Sequence, residues 1–205
     1  LLPLGVQAGE DALQLLTERN FFVLPLHHPD MDLDVLPPNV RARVDPKGKE
    51  YNERDIGKLP LVAWEGYQKA FPKVGEVETW WKKKGWEFAN IAIVCGELSG
   101  IFVVDADNED ALKYMESLGV VPGLTLTVKT GRGYQFYFLW PGFLVGNSLG
   151  QILPGLDIKG EGGYVVAPPS RHRTGVDYAL VDGVDEPQPA PEELLELIRQ
   201  SARRK

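Results

Sequence analysis

The run Ile101-Phe102-Val103-Val104 stops on Asp105-Ala106-Asp107, and no other stretch limits the fold so tightly. A short apolar run rich in β-branched and aromatic residues, opened by Gly100, reads as a strand rather than a helix. Side chains alternate faces along a strand, so Asp105 and Asp107 point the same way at its end. A sister strand, Asn90 to Cys95, precedes it across a polar turn through Gly96 and Gly100. Downstream the pattern predicts a helix from Glu109 to Leu118. It then predicts a hairpin: Leu124 to Lys129, a turn at Thr130-Gly131-Arg132-Gly133, and Tyr134 to Trp140. A looser connection, Gly142 to Pro154, leads to a strand at Leu156-Asp157-Ile158-Lys159. A Gly162-Gly163 turn feeds a last strand, Tyr164 to Ala167, stopped by Pro168-Pro169.

Upstream, Ala12, Leu13, Leu15 and Leu16 form the apolar stripe of a helix from Glu10 to Asn20, followed by a strand from Phe21 to Leu26. The segment from His27 to Gly57 lacks periodicity and reads as a mobile surface loop or insertion. His27, His28, Asp30, Asp32 and Asp34 are metal-ligand types, but adjacent loop histidines mostly bind nothing, so no metal is assigned to them. Gly57-Lys58-Leu59-Pro60-Leu61 and Trp64 lead to a helix from Val77 to Trp86, whose Trp80, Trp81 and Trp86 are expected to pack. The neighbouring Lys82-Lys83-Lys84 reads as a solvated face in preference to a single-strand grip. Pro191 to Gln200 is an amphipathic helix, and Ser201 to Lys205 a frayed basic end.

Composition excludes several classes. With 205 residues, 43% hydrophobic and 25% charged, the chain is globular in character, not fibrous or disordered. A net charge of −7 argues against a generic nucleic-acid coat, although it leaves room for a local basic groove. The single cysteine, Cys95, makes neither an internal disulfide nor a structural zinc site, so a reducing, cytoplasmic setting is expected. No apolar run approaches the roughly 20 residues of a membrane span. The chain opens on Leu1 and is read as a fragment of something longer; without heptads, a monomer is expected.

Chemistry concentrates around the carboxylates. Asp105 and Asp107 either share a cation or cap the following helix. The metal reading is preferred because a third acid, Asp157, sits between apolar Leu156 and Ile158, where an unpaired carboxylate is costly. Such oxygen ligands suit Mg²⁺ or Mn²⁺. Lys159 shares a face with Asp157 and suits either an ion pair or a phosphate. Gln135 and Tyr137 share one face of their strand while Phe136 and Phe138 pack on the other. The turn at Thr130-Gly131-Arg132-Gly133 is either a plain tight turn or a phosphate holder through its amides and Arg132.

Taken in order, these motifs resemble a known family. They are Gly57-Lys58-Leu59-Pro60 with Trp64, Asp105-Ala106-Asp107, the Thr130–Gly133 turn leading to Gln135-Phe136-Tyr137-Phe138, Leu156-Asp157-Ile158-Lys159-Gly160, and Gly162-Gly163-Tyr164 through Ser170. The chain from Asp11 to Tyr178 resembles the bifunctional DNA primase/polymerase (Prim-Pol) domain of the archaeo-eukaryotic primase superfamily. The resemblance implies an α+β fold in which an RRM-like antiparallel sheet core packs against a smaller α/β subdomain, with the active site in the cleft between them. It implies a catalytic domain at 9–180 with a loop-rich insertion at 27–57, followed by a C-terminal helix and basic tail at 187–205.

The resemblance further implies that Asp105, Asp107 and Asp157 are catalytic and hold two divalent ions, Mg²⁺ or Mn²⁺. The position of Gln135 usually carries a histidine that contacts the phosphates of the incoming nucleotide, and glutamine keeps the hydrogen bond but not the charge. Lys159, Arg132, Arg171 and His172 are the further nucleotide-binding candidates. The implied activity is template-directed nucleotidyl transfer, adding dNTP or NTP to a primer or initiating one on single-stranded DNA. A C-terminal primase or helicase segment, or CRISPR-associated proteins, are candidate partners. Two rivals stand beside it. A two-metal nuclease lacks histidines beyond His27, His28 and His172. A non-catalytic RRM-like binding module would stack bases on Tyr137 and Phe138.

Overall fold

The computed structural model describes residues 4–64, 67 and 70–203, so the last two residues of the basic tail lie outside the described residues. The described residues form five α-helices: α1 (Leu4–Thr17), α2 (Pro38–Val44), α3 (Val74–Lys82), α4 (Glu109–Ser117) and α5 (Glu192–Arg203). They form nine strands: β1 (Phe22–Leu26), β2 (Asn90–Val94), β3 (Ile101–Ala106), β4 (Thr127–Lys129), β5 (Tyr134–Leu139), β6 (Ser148–Leu153), β7 (Leu156–Lys159), β8 (Tyr164–Ala167) and β9 (Ala179–Leu180). The fold is α+β. No helix among the described residues is long and apolar enough to cross a membrane. The chain divides into two compact units, one from residues up to Ile93 together with Val166–Tyr178, the other from Val94–Val165 and from Ala179 onward.

In the first unit, the sheet runs in the order β1-β2-β8, and all residues of β1 and β2 are buried. Helices α1 and α3 pack together and against β1. The tryptophans do pack: Trp81 and Trp86 are buried, and their indole N–H groups donate to the carbonyls of Ala89 and Val35. Helix α3 is shorter than the periodicity predicts because Lys83 turns to extended backbone, which leaves Trp86 beyond the helix. Lys83 lies over the Trp86 ring at 3.7 Å, and Lys82, Lys83 and Lys84 are exposed. The stretch from 27 to 57 contains more structure than its lack of periodicity suggests. Proline at the start of α2 suits a helical first turn, and Val40 and Val44 are buried beneath it.

The Gly57–Leu61 motif is held alongside β1. Leu59 accepts from the His27 amide, Pro25 accepts from the Leu61 amide, and the Gly57 N–H donates to His27 Nδ1 at 3.0 Å. His27 is therefore a buried acceptor for backbone rather than a metal ligand. Asn90, at the head of β2, is 1% exposed and uses its whole amide. Its Nδ2 donates to the carbonyls of Gly57 and Arg171, and its Oδ1 accepts from the Arg171 amide. Ser170 Oγ accepts from the Ile91 amide in the same cluster. One neutral side chain thus ties two sequence motifs to one strand.

In the second unit, the sheet has the order β6-β7-β3-β5-β4-β9, and each strand pairs antiparallel with its neighbours. One face carries Phe102, Val104, Ala106, Phe136, Phe138, Leu156 and Ile158, packed with Met115 of α4 and with Leu194 and Ile198 of α5. The C-terminal helix, set apart from the catalytic domain in the sequence reading, belongs to this core. Two strands also lie outside the predicted set: β6, in the supposed loose connection, and the short β9.

Burial, reinforced by the His28 charge, pushes the His27 imidazole down to about 4. In the unfolded chain it titrates near 6.5, so below that pH the unfolded state binds a proton that the native state refuses. Stability should fall by roughly 3 kcal/mol as pH drops from about 6.5 to about 4, with no further loss below. Urea unfolding across that range should show this component in the wild type and its absence in His27→Gln, which retains an acceptor for Gly57.

Candidate active site

Strand β3 lies between β7 and β5, and its register opposes Asp105 to Asp157 on one side and to Gln135 on the other. Residues directly opposite in antiparallel strands share a face with Cβ atoms about 5 Å apart. Asp157, Asp105 and Gln135 therefore form one polar row across three strands, on the face opposite the α4 and α5 core. One step along the same face, Lys159, Val103 and Tyr137 form a second row. The alternation read from the sequence is thus realised, with Leu156 and Ile158 buried and Asp157 and Lys159 half-buried.

Two carboxylates opposite each other repel unless cations stand near. Lys159 Nζ is one such cation, 3.3 Å from Asp157 Oδ2, with both side chains 22% exposed. Asp157 Oδ1 accepts from the Gly150 amide at 2.9 Å, a contact supplied by β6 and not foreseen from the sequence. Gln135 is 3% exposed, and its Oε1 accepts a long hydrogen bond, 3.4 Å, from the hydroxyl of the equally buried Tyr137.

Asp107 lies just past the end of β3, where its amide donates to the Gly155 carbonyl at 2.8 Å. It does not cap α4. That role falls to Asn108, whose Oδ1 accepts from the Ala111 amide at 2.8 Å while its Nδ2 donates to Pro154. Asn108 before Glu109-Asp110 is a readable cap signature that the pair of aspartates obscured. Gly155, at φ +83, is required here because a Cβ would stand 2.0 Å from Asn108 Nδ2. The tip of the β6–β7 hairpin is therefore clasped to the end of β3. Among the described residues no three His, Cys, Asp or Glu side chains form a group that could hold a metal ion. The structure brings Asp105 and Asp157 into register and leaves Asp107 beyond the strand.

The Thr130–Gly133 turn closes on itself. Thr130 donates to the Gly133 carbonyl, and Thr130 Oγ1 accepts from the amides of Arg132 and Gly133. Those two amides are engaged within the turn, as the tight-turn alternative of the sequence analysis has it. Arg132 is exposed at its tip. Gly133 packs on the end of β3 so closely that a Cβ would lie 1.8 Å from the Ala106 carbonyl oxygen.

Arg171 and His172 belong to the first unit. Arg171 Nη1 pairs with Asp177 at 3.1 Å, with its side chain 43% exposed. His172 is 5% exposed, with its Nδ1 2.8 Å from Thr174 Oγ1 and its ring against Tyr178. Its ring is engaged within its own loop.

The family model described as bifunctional DNA primase/polymerase, N-terminal, matches residues 12–193 of this chain. No curated protein matches the sequence.

The close approach at Gly133 predicts that Gly133→Ala loses roughly 1–3 kcal/mol, because the turn must move off the end of β3. Gly146, with nothing within 4 Å of its Cβ position, should accept alanine within about 0.5 kcal/mol in the same urea titration.

Proposed function

The chain belongs to the bifunctional DNA primase/polymerase, N-terminal (Prim-Pol) family, and from that membership we propose that it performs template-directed nucleotidyl transfer on DNA. The reaction adds nucleotides to a primer 3′-hydroxyl or initiates a primer on single-stranded DNA. The observation that carries this reading is the row formed by Asp157, Asp105 and Gln135 across β7, β3 and β5.

The donor set fits Mg²⁺ or Mn²⁺. Two facing carboxylates are hard oxygen ligands, and Asp157 keeps lone pairs beyond those used by Gly150 and Lys159. Facing Asp105 and Asp157 would hold the ions; Asp107, beyond the end of β3, completes no three-carboxylate group with them among the described residues and joins the set only through the family resemblance. Two such ions, when bound, acidify the attacking hydroxyl and neutralise the triphosphate and its leaving group. The chain's own side chains bind and orient the nucleotide. The Lys159 ammonium is available to exchange its contact with Asp157 for a phosphate oxygen. The Gln135 amide, with Oε1 engaged by Tyr137, is left to donate through Nε2. Arg132, exposed at the hairpin tip, is a third phosphate donor. Arg171 enters the reading as a phosphate-binding cation on its own unit.

Template and primer strands with dNTP or NTP are the substrates of this reading, and a C-terminal primase or helicase segment is the partner that would add primer initiation. The binding-only alternative requires stacking on Tyr137 and Phe138, which are 1% and 2% exposed and thus unavailable to bases. That burial favours catalysis over a stacking platform.

Extension of a labelled primer in Mg²⁺ and in Mn²⁺ tests the reading. Asp105→Asn and Asp157→Asn should each lower kcat by about 10²-fold or more while circular dichroism stays native. Extension at the wild-type rate by either variant would overturn it. Gln135→His should lower the KM for the incoming nucleotide only at pH values low enough to charge the buried imidazole, and should leave it near the wild-type value above them.

A further inference from the structure

Strand β6 departs from a regular ladder directly beside Asp157. Leu149 faces Asp157 across the β6–β7 pairing, and the next paired position is Leu153 opposite Leu156, so four steps along β6 match one along β7. Extra residues of this kind re-aim the groups around them and recur next to active sites. Here the re-aimed group is the Gly150 amide, which donates to Asp157 Oδ1 at 2.9 Å. Gly150 stands at φ +60, while a Cβ there would meet only ordinary contacts, the nearest being Pro154 Cα at 3.6 Å. Glycine is therefore demanded by the backbone conformation and not by lack of room.

The irregular stretch is fastened at its far end. Pro154 accepts from Asn108 Nδ2 and Gly155 accepts from the Asp107 amide, so the hairpin that carries Gly150 is tied to the end of β3, the strand that carries Asp105. The Gly150 donor is thus held relative to both facing carboxylates. The other oxygen of Asp157 has a different kind of partner, Lys159 Nζ, 3.3 Å from Oδ2. A lysine on a flexible stem can leave for another anion, whereas a backbone amide in a tethered hairpin stays in place. A group that is already ordered loses less freedom on binding.

We propose that Gly150 is a positioning residue: its amide, turned onto Asp157 by the irregularity in β6, holds that carboxylate in the orientation that receives a divalent ion when Lys159 leaves it. The proposal rests on the metal-ion reading of Asp105 and Asp157 and adds to it a group that acts through Asp157 without touching the ion. Partners that orient a metal-ligating side chain contribute a factor of about 10–100 in metal affinity. Without the amide, the Asp157 side chain regains rotamer freedom that an arriving ion must then remove.

Titration of the full chain with Mn²⁺, followed by the electron paramagnetic resonance of the free ion, tests the proposal. Gly150→Val should weaken Mn²⁺ binding roughly tenfold or more, because a β-branched residue abandons φ +60 and takes the amide with it. Gly150→Asn, which tolerates the left-handed conformation, should stay within about threefold of wild type. Gly142, at φ +75 with nothing within 4 Å of its Cβ position, supplies the control for backbone strain. Gly142→Val should cost comparable stability in urea and leave Mn²⁺ affinity unchanged. A Mn²⁺ affinity of Gly150→Val within about twofold of wild type overturns the proposal, as does an equal loss in Gly142→Val. Asp157→Asn in the same titration separates the failures. Weakened binding in Asp157→Asn with unaltered binding in Gly150→Val removes the positioning role and leaves the metal reading. Wild-type affinity in Asp157→Asn removes the metal reading itself, and the positioning role with it.

Discussion

The register of β3 between β5 and β7 is the constraint on which the rest of the second unit depends. A strand has two faces, and a slip of one residue exchanges them completely. In the observed register, Phe102, Val104 and Ala106 meet Phe136, Phe138, Leu156 and Ile158 under α4 and α5. Slipped by one, β3 would thrust Asp105 into that apolar layer and turn Val104 toward the polar row. Several apolar side chains, each worth about 1.5–3 kcal/mol on burial, oppose that exchange. The hydrophobic face thus fixes the carboxylates to the opposite face, and packing on one side of the sheet constrains chemistry on the other.

Loops that flank the sheet are held by neutral amides and by backbone contacts too close for a side chain. Asn108 joins the start of α4 to the tip of the β6–β7 hairpin, and Gly133 lets the β4–β5 turn rest on the end of β3. Asn90 does comparable work in the first unit, binding the Gly57 and Arg171 segments at once. An amide suits such positions because it donates and accepts without bringing a charge out of water. The charged groups are then left for a site where they are half-exposed, as Asp157 and Lys159 are.

Much of this was legible because periodicity reports burial. Ile101–Val104 and Leu156–Ile158 read as strands, and Tyr134–Leu139 alternates Gln135 and Tyr137 against Phe136 and Phe138 as the sheet requires. The resemblance grouped the members of the polar row, but their register was not legible, because it is a non-local property: nothing local to Asp105 says that Asp157 and Gln135 oppose it. Strand β6 was hidden by Gly150 and by exposed Leu149, which blur the alternation, and with it went the Gly150 amide that holds Asp157. In the 27–57 stretch, α2 is seven residues long, too short for a helical period to rise above its Pro and Arg content.

Glutamine at position 135 follows the same logic of burial. His27, 2% exposed, shows what this protein does to a buried imidazole: it stays neutral down to a pH of about 4. A histidine at 135, at 3% exposure, would meet the same desolvation, opposed by the Asp105 carboxylate in the next strand. Its charge would be a balance between the two and would shift across the physiological range. Glutamine removes that dependence. It keeps a donor that Tyr137 orients through Oε1 and that is present at every pH, and it leaves positive charge to Lys159, which is bound to the metal-ligating acid itself in this reading. The exchange trades electrostatic strength at one position for constancy, and it makes the Lys159–Asp157 pair the electrostatic centre of the row.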